Sequence, residues 1–500
     1  MNGLMIQGTS SGSGKSFIVT GLCRLLAGMG IHVCPFKSQN MSNNASITHD
    51  GLEISTAQAV QAQAAGLRPE YFMNPILLKP RHECSSEVIL NGRVYAHNTK
   101  GYREFTRTAG IEAVRDALRH IERNFDAVII EGAGSPAEIN LNANEIVNMR
   151  IAREADVPVV LVADVDRGGS LAAVAGTLEL LGDDRRRVKR IIFNMFRGDI
   201  GLFTDAVRWT ESYTGVKVLG VVPFVRGVNI PGEDSLNLKA QTMTAITPGK
   251  IAIGIMNFPG ISNFSDFDAF THEPDVETLY IDDSITVRDF NALDALILPG
   301  TKNTFAALGW LKASGFDAMI RGFRGFIFGI CGGLQVMGSE LIDDSLHEND
   351  TLKRAEGLGI LPAVTSFNAT SKITHQVSGT IYGTSESVSG YELHLGRTEY
   401  VYGDGFRPLF RVEGMNEGII GHDMRRAGTY LHGVFSSDNF RALWLNTIRR
   451  AKNYGEHAIT DTLTANDNSY NSIARVLSRS LDIPGILRLI HREDTTLQPQ

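Results

Sequence analysis

The sequence predicts an α/β protein made of two α/β domains: an N-terminal parallel-sheet domain with a phosphate loop, and a C-terminal domain of strands and helices with a nucleophilic cysteine. Three observations carry this. Five hundred residues exceed what one hydrophobic core usually serves, and about 150 residues per domain implies two or more. Continuous apolar runs alternate with helical patterns, as parallel strands covered on both faces do. Each half also has a strand that passes through a glycine turn directly into a helix, at Gly8–Ser16 and again at Phe326–Gln335.

In the first half the expected strands are Leu4 to Gln7, Ala127 to Ile130, Val157 to Ala163, Arg190 to Asn194 and Val216 to Val222. The polar stretch Lys239 to Gly249 separates them from a new first strand at Ile251 to Met256. The second half repeats the strand-helix logic with Ala295 to Leu298 and Phe326 to Ile330, then becomes more β-like and glycine-rich through Thr380 to Gly421. Near the C-terminus Ile473, Val476, Leu477, Ser480 and Leu481 recur at helical spacing before the stop signal Asp482-Ile483-Pro484-Gly485. That helix is expected to pack on a neighbouring domain. The domain expectation is therefore 1–238, 250–445 and a helical extension 446–500, with no internal repeat.

Composition narrows the functional classes. At 43% hydrophobic and 21% charged residues the chain is that of an ordinary globular protein, with no apolar tract long enough to span a bilayer. The net charge of −7 is spread along the chain, and the dense basic run Arg185 to Arg190 follows Asp183 and Asp184, which reads as a solvated helix end. Neither nucleic acid nor membrane is implied as a partner. Cys23, Cys34, Cys84 and Cys331 form no CxxC pair, and no export signal precedes the first strand, so a reducing cytoplasm is expected.

The segment Gly8-Thr9-Ser10-Ser11-Gly12-Ser13-Gly14-Lys15-Ser16 lies between a strand and the apolar helix Phe17 to Leu26. Small residues at Gly12, Ser13 and Gly14 let consecutive N–H groups wrap phosphates, the helix start adds its positive end, Lys15 can reach the terminal phosphates and Ser16 can ligate Mg²⁺. Gly8 precedes Gly14 by one residue more than the common spacing, which points to a sub-branch of phosphate-loop proteins. Mg²⁺ needs a carboxylate as well: Glu131, at the end of its strand in Glu131-Gly132-Ala133-Gly134, is the first candidate and Asp50 the second, although an Asp-Gly turn also explains Asp50. Asp164 and Asp166 fit either turn capping or a phosphate role, and Asn194, ending a strand, fits either turn chemistry or the adenine edge.

Phe326-Ile327-Phe328-Gly329-Ile330-Cys331-Gly332-Gly333-Leu334-Gln335 is the pattern of a nucleophile elbow, where a tight turn lifts the thiol above the sheet and the helix N–H groups can hold an oxyanion. The thiolate is the nucleophile, so a base is required. His432, ending the short apolar strand Gly428 to Leu431, is the best-placed base by pattern, with His394 a rival or helper.

GICGG followed by TYLHG resembles the class I glutamine amidotransferases. In that family a glutamate normally follows the histidine by two residues; here the position is Val434, a departure typical of the cobyrinic/cobyric acid synthase branch that leaves the group orienting His432 open. The N-terminal half resembles the dethiobiotin-synthetase-like ATPases in its long-spaced loop and its Glu-Gly-Ala-Gly strand end. Pro35 to Ser42, Ala57-Gln58-Ala59, Met73 to Pro80, Asn263 to Asp268, Leu298 to Thr304 and Gly390 to Arg397 are similar to the cobyric acid synthase family, over nearly the whole chain.

This resemblance implies ATP- and glutamine-dependent amidation of corrin carboxylates in cobalamin biosynthesis: the b, d, e and g carboxylates of adenosylcobyrinic acid a,c-diamide, through acyl phosphates, to give adenosylcobyric acid. It implies ATP and Mg²⁺, a Cys331 thioester, proton transfer by His432, an oxyanion hole from Gly300, Gly332 and Leu334, and corrinoid contacts among Lys37, Gln39, Asn40 and Asn43. The partners are small molecules: glutamine, ATP and a corrinoid acid. Ammonia then has to pass unhydrated between the sites, which calls for a sheltered interface. The alternatives are the sister a,c-diamide synthase, another amide ligase, or a glutamine-sensing regulatory ATPase.

Overall fold

The apolar strands of the first half are buried on both faces, and alternate residues enter two different cores. Leu4 and Ile6 of strand β1 (Gly3–Gly8) point into one core and Met5 into the other. The same alternation holds in β3 (Ala127–Glu131) and β4 (Val159–Asp164). This is why these runs read as continuous rather than alternating hydrophobicity. The computed structural model describes residues 1–82, 85–96, 101–140, 145–228, 246–348, 352–368 and 372–493. Most of the expected linker, Lys239 to Gly249, and Cys84 lie outside them.

The chain divides into two units, the first comprising Met1–Met41, Glu53–Ile230 and Asn466–Gln500 and the second Ser42–Leu52 and Pro231–Ala465. In the first, β1, β2 (Val33–Phe36), β3, β4, β5 (Val188–Phe196) and β6 (Lys217–Pro223) form one parallel sheet in the order β6-β5-β4-β1-β3-β2. Helix α1 (Lys15–Gly28) follows β1, and α2 (Thr56–Ala64) follows β2 in the chain. The connection from β1 passes beyond β3 to β2 and the one from β3 passes beyond β1 to β4, so the loop after β1 sits at a switch point between the carboxyl ends of β3 and β4. A smaller sheet, which includes Gln39–Met41, Ile76–His82 and Ser85–Leu90, completes the unit.

The second unit is built on a nine-stranded mixed sheet. Its parallel part runs Val276–Ile281, Ile251–Met256, Ala295–Leu298, β7 (Phe326–Ile330) and β8 (Arg426–Thr429), and antiparallel strands extend it from β8 to the edge at Ser387–His394. Helix α3 (Gly332–Met337) follows β7, and α4 (Asp438–Ala451) buries Trp444, Leu445 and Ile448 in the unit's large core.

Two expectations need correction. The stretch 446–500 is not one extension: position 445 falls inside α4, whereas Ile473, Leu477 and Ile486 pack in the first unit's core. Gly21 of α1 makes room for them, since a Cβ there would lie 2.5 Å from Leu477 Cδ1. Asp482 is both a stop and a start, because its carboxylate accepts from Gly485 N at 3.0 Å and caps the next helix, Ile483–Ile490. Residues 42–52 belong with the second unit, held there by Tyr391 Oη donating to Ala45 O (2.8 Å) and Gln376 Nε2 donating to Ile47 O (2.8 Å). The basic run lies as expected at a solvated helix end: Arg185, Arg186 and Arg187 form the last turn of the 3₁₀ helix Gly182–Arg187, none of whose residues is buried, and Val188 then begins β5.

Candidate functional sites

Gly12 and Gly14 adopt φ of 73° and 87°, values open to glycine at no steric cost, and the loop turns through them into α1. Lys15 Nζ donates to Ser10 O (3.2 Å) and Gly134 O (3.1 Å), so it lies across the loop towards the end of β3. Ser16 Oγ donates to Glu131 Oε1 at 2.9 Å. Glu131 is buried; it also pairs with Lys37 Nζ at 3.1 Å and accepts from Gln61 Nε2. Burial alone would raise its pKa, but the charges of Lys37 and Lys15 and the hydrogen bonds from Ser16 and Lys37 hold it below the usual carboxylate value. A hydroxyl beside an ionised carboxylate at a phosphate loop is the donor set Mg²⁺ uses when phosphates complete its shell.

Other expected members fall elsewhere. Asn194 is 2% exposed and its Nδ2 donates to Ser13 O at 3.0 Å; a Cβ on Gly14 would lie 2.1 Å from that nitrogen. That bond fixes the loop. Asp50 is an exposed residue of the turn closed by Gly51 N donating to Thr48 O (3.0 Å), so the structure gives it the turn role. Asp164 takes part in an Asx turn through Asp166 N (2.8 Å) and pairs with Arg167 (3.3 Å), whose guanidinium lies beside Gly12; Asp166 pairs with Arg197. Among the four expected corrinoid contacts, Lys37 is spent on Glu131 and Gln39 accepts from Tyr102 Oη. Among the described residues Asn40 has no partner for either amide atom, and Asn43 lacks one for its Oδ1. Asn43 is part of the second unit.

In the second unit Cys331 sits between β7 and α3 at φ 51°, ψ −109°, a conformation sparsely populated by any residue with a side chain. Glycines make it possible. A Cβ on Gly333 would lie 1.8 Å from Leu298 O, one on Gly332 2.5 Å from Thr301 Cγ2, and one on Gly329 2.7 Å from Leu334 N. The turn of Pro299 and Gly300 is thus pressed against the elbow, and Gly300 also meets His432, whose Cε1 would be 2.9 Å from a Cβ there.

His432 is 1% exposed and hydrogen-bonded to Cys331 on one side. On the other, its Nδ1 lies 2.7 Å from Asp266 Oδ2, while Asp266 Oδ1 accepts from Gly433 N at 2.7 Å. A carboxylate can only accept, so Asp266 fixes the tautomer with hydrogen on Nδ1 and turns Nε2 to the sulfur. Burial lowers the imidazole pKa, but the charges of Asp266 and Cys331 and their hydrogen bonds outweigh it and hold the ring at about 10. His394 is no rival base: its Nδ1 is 2.7 Å from Gly396 O and its ring stacks on Tyr430 at 3.7 Å, while the strand before it brings Leu393 O to 3.8 Å from Cys331 Sγ.

Sequence reasoning missed Asp266 and Gln61. Asp266 stood in a quoted motif, Asn263 to Asp268, but its partner is 166 residues away. Among the described residues no cluster of three or more His, Cys, Asp or Glu could hold a metal ion, and no helix is long and apolar enough to cross a membrane.

Residues 4–237 match the CobQ/CobB/MinD/ParA nucleotide binding domain, and residues 252–440 match the CobB/CobQ-like glutamine amidotransferase domain. The chain is 40% identical over 501 residues to a probable cobyric acid synthase of Methanothermobacter thermautotrophicus, covering 96% of this chain and 97% of that one. It is 40% identical over 505 residues to the cobyric acid synthase of Chlorobium phaeobacteroides (98% and 100% covered) and 41% identical over 496 residues to that of a Geobacillus species (97% and 96%).

Proposed function

Since the chain belongs to the cobyric acid synthase family, we propose that its second unit releases ammonia from glutamine and its first unit uses ATP to join that ammonia to corrinoid carboxylates. It is an amide-forming enzyme of cobalamin biosynthesis that acts on small molecules, glutamine and ATP among them. The substrate we assign is adenosylcobyrinic acid a,c-diamide, amidated at its b, d, e and g carboxylates to adenosylcobyric acid.

The observation that carries the reading is the buried Cys331–His432–Asp266 chain. Cys331 Sγ attacks the side-chain amide carbon of glutamine with its proton already held on His432 Nε2, as the raised imidazole pKa favours, and the carbonyl oxygen becomes an oxyanion beside the N–H groups of Gly332 and Gly300. Leu334 N–H, packed against Gly329, is the third candidate donor. The C–N bond then breaks as His432 returns the proton to the departing ammonia. Water then cleaves the thioester with the now neutral His432 as base, which frees glutamate and restores the starting pair of Cys331 sulfur and protonated His432. Asp266 holds the ring in one orientation and stabilises its protonated form.

A carboxylate resists ammonia until one oxygen is phosphorylated. Corrinoid oxygen attacks the γ-phosphorus and ADP leaves; ammonia then attacks the acyl carbon and phosphate leaves, giving the amide. Loop N–H groups, Lys15 and Lys37 supply positive charge for the migrating phosphoryl group, and Asn194 keeps the loop in place. Ser16 and Glu131 would hold Mg²⁺, which supplies Lewis-acid charge neutralisation when bound. We place the enzyme in the cytoplasm, a reading supported by the free thiols Cys23, Cys34 and Cys331.

The test compares nitrogen sources. With ATP and the corrinoid diamide, Cys331→Ala is expected to lose amidation from glutamine and keep it from ammonium salt, amides being counted by mass spectrometry. Glutamine-dependent amidation that survives Cys331→Ala would refute the assignment.

A further inference from the structure

Among the described residues, two buried side chains of the first unit have no partner at either end of their amide groups: Gln58, 0% exposed, and Asn40, 1% exposed. Buried polar atoms are almost always paired, so these exceptions call for a cause. Gln58 lies in the first turn of α2, three residues before Gln61, and that spacing puts both on one helix face. Gln61 Nε2 is bonded to Glu131, and its Oε1 is also unpaired. Gln58 therefore sits one helical turn from the carboxylate at the phosphate loop.

Asn40 reaches the same layer from the strand Gln39–Met41. It is paired with Leu77, which puts it on the face that Lys79 occupies two residues on, and Lys79 bonds Glu53 just ahead of α2. Asn74 ties these pieces together. Its Nδ2 donates to Lys37 O (2.9 Å) and Ile76 O (3.0 Å), and its Oδ1 accepts from the N–H of Ser55, the N-cap of α2 (3.3 Å).

We propose that Gln58, Asn40 and the unpaired Oε1 of Gln61, all buried, are the groups that meet the carboxyl and carboxamide arms of the corrinoid beside Glu131. The proposal rests on the corrinoid reading above. Its logic is the donor and acceptor content of a neutral amide. A carboxylate arm offers only acceptors and takes the NH₂ group, whereas a carboxamide arm takes both ends. A lysine or arginine in these positions would hold acids and reject amides. Neutral amides accept either, as is needed where successive amidations convert the arms of one scaffold from acid to amide.

Gln58→Glu tests this in the full-length chain, by titrating the corrinoid a,c-diamide acid, the product amidated at b, d, e and g, and ATP separately without glutamine. A carboxylate at position 58 repels acid arms and still accepts from carboxamides. The ratio of dissociation constants, acid over amide, is therefore expected to rise about tenfold or more, with ATP binding unchanged. General damage would weaken both corrinoids together and leave the ratio alone. Asn40→Asp is the second variant, expected to move the ratio the same way if Gln58→Glu fails to fold. Wild-type ratios in the folded variants would overturn the proposal. A wild-type chain that binds neither corrinoid would instead overturn the corrinoid reading itself.

Discussion

Asp266 does for His432 what a glutamate two residues after the histidine would otherwise do, but from a different part of the chain. Its carboxylate holds Nδ1 and the backbone of Gly433 at once, so ring and strand end are oriented together. Asp266→Asn is expected to reduce glutamine-dependent turnover by on the order of 10²- to 10⁴-fold and spare ammonia-dependent amidation. Its pH signature has a definite sign. Burial lowers the His432 pKa while the Asp266 charge raises it, so removing that charge moves the imidazole down from about 10. The alkaline limb of the glutaminase profile should shift to lower pH. The same raised pKa stabilises the fold fully below the unfolded value of about 6.5, and this contribution is lost as pH rises through about 10. Glu131→Gln should show the opposite split: ATP-dependent amidation lost from either nitrogen source, glutaminase retained.

At the scale of elements, two close approaches are set by glycine. The elbow forms because α3 begins against the turn after Ala295–Leu298, with no room for a side chain at Gly333. Gly333→Ala is expected to cost more than about 2 kcal/mol in urea unfolding and to abolish thioester formation, because the atom it would meet is backbone and cannot rotate away. Gly21 is the counterpart in the first unit, where α1 meets Ile473 and Leu477. Gly21→Val should destabilise that unit by about 1–3 kcal/mol, seen as faster amide exchange in Thr462–Ser480, with the thiol chemistry unaffected.

For the whole molecule, each unit is completed by chain remote in sequence: the first takes in both ends, and the second takes in Ser42–Leu52. Two chemistries in one chain also need to run in step. Ammonia released without an acyl phosphate to receive it is lost as ammonium, so glutaminase activity is expected to rise several-fold when ATP and the corrinoid acid are both present. Equal rates of glutamate release with and without them would contradict that expectation.

What sequence alone determined is what fits within about ten residues. The phosphate loop, the elbow, the base at the end of its strand and the doubly buried strands are local patterns of backbone freedom and hydrophobic order, and such patterns fix local conformation directly. What tertiary structure decided is which side chains meet. Asp266 joins His432 across 166 residues, Lys37 joins Glu131 across 94, Gln61 joins it across 70, and Asn194 turns to the loop carbonyl of Ser13 across 181. Asp50 stays in its turn. A hydrogen bond demands placement to within tenths of an ångström, and only the packed elements supply that.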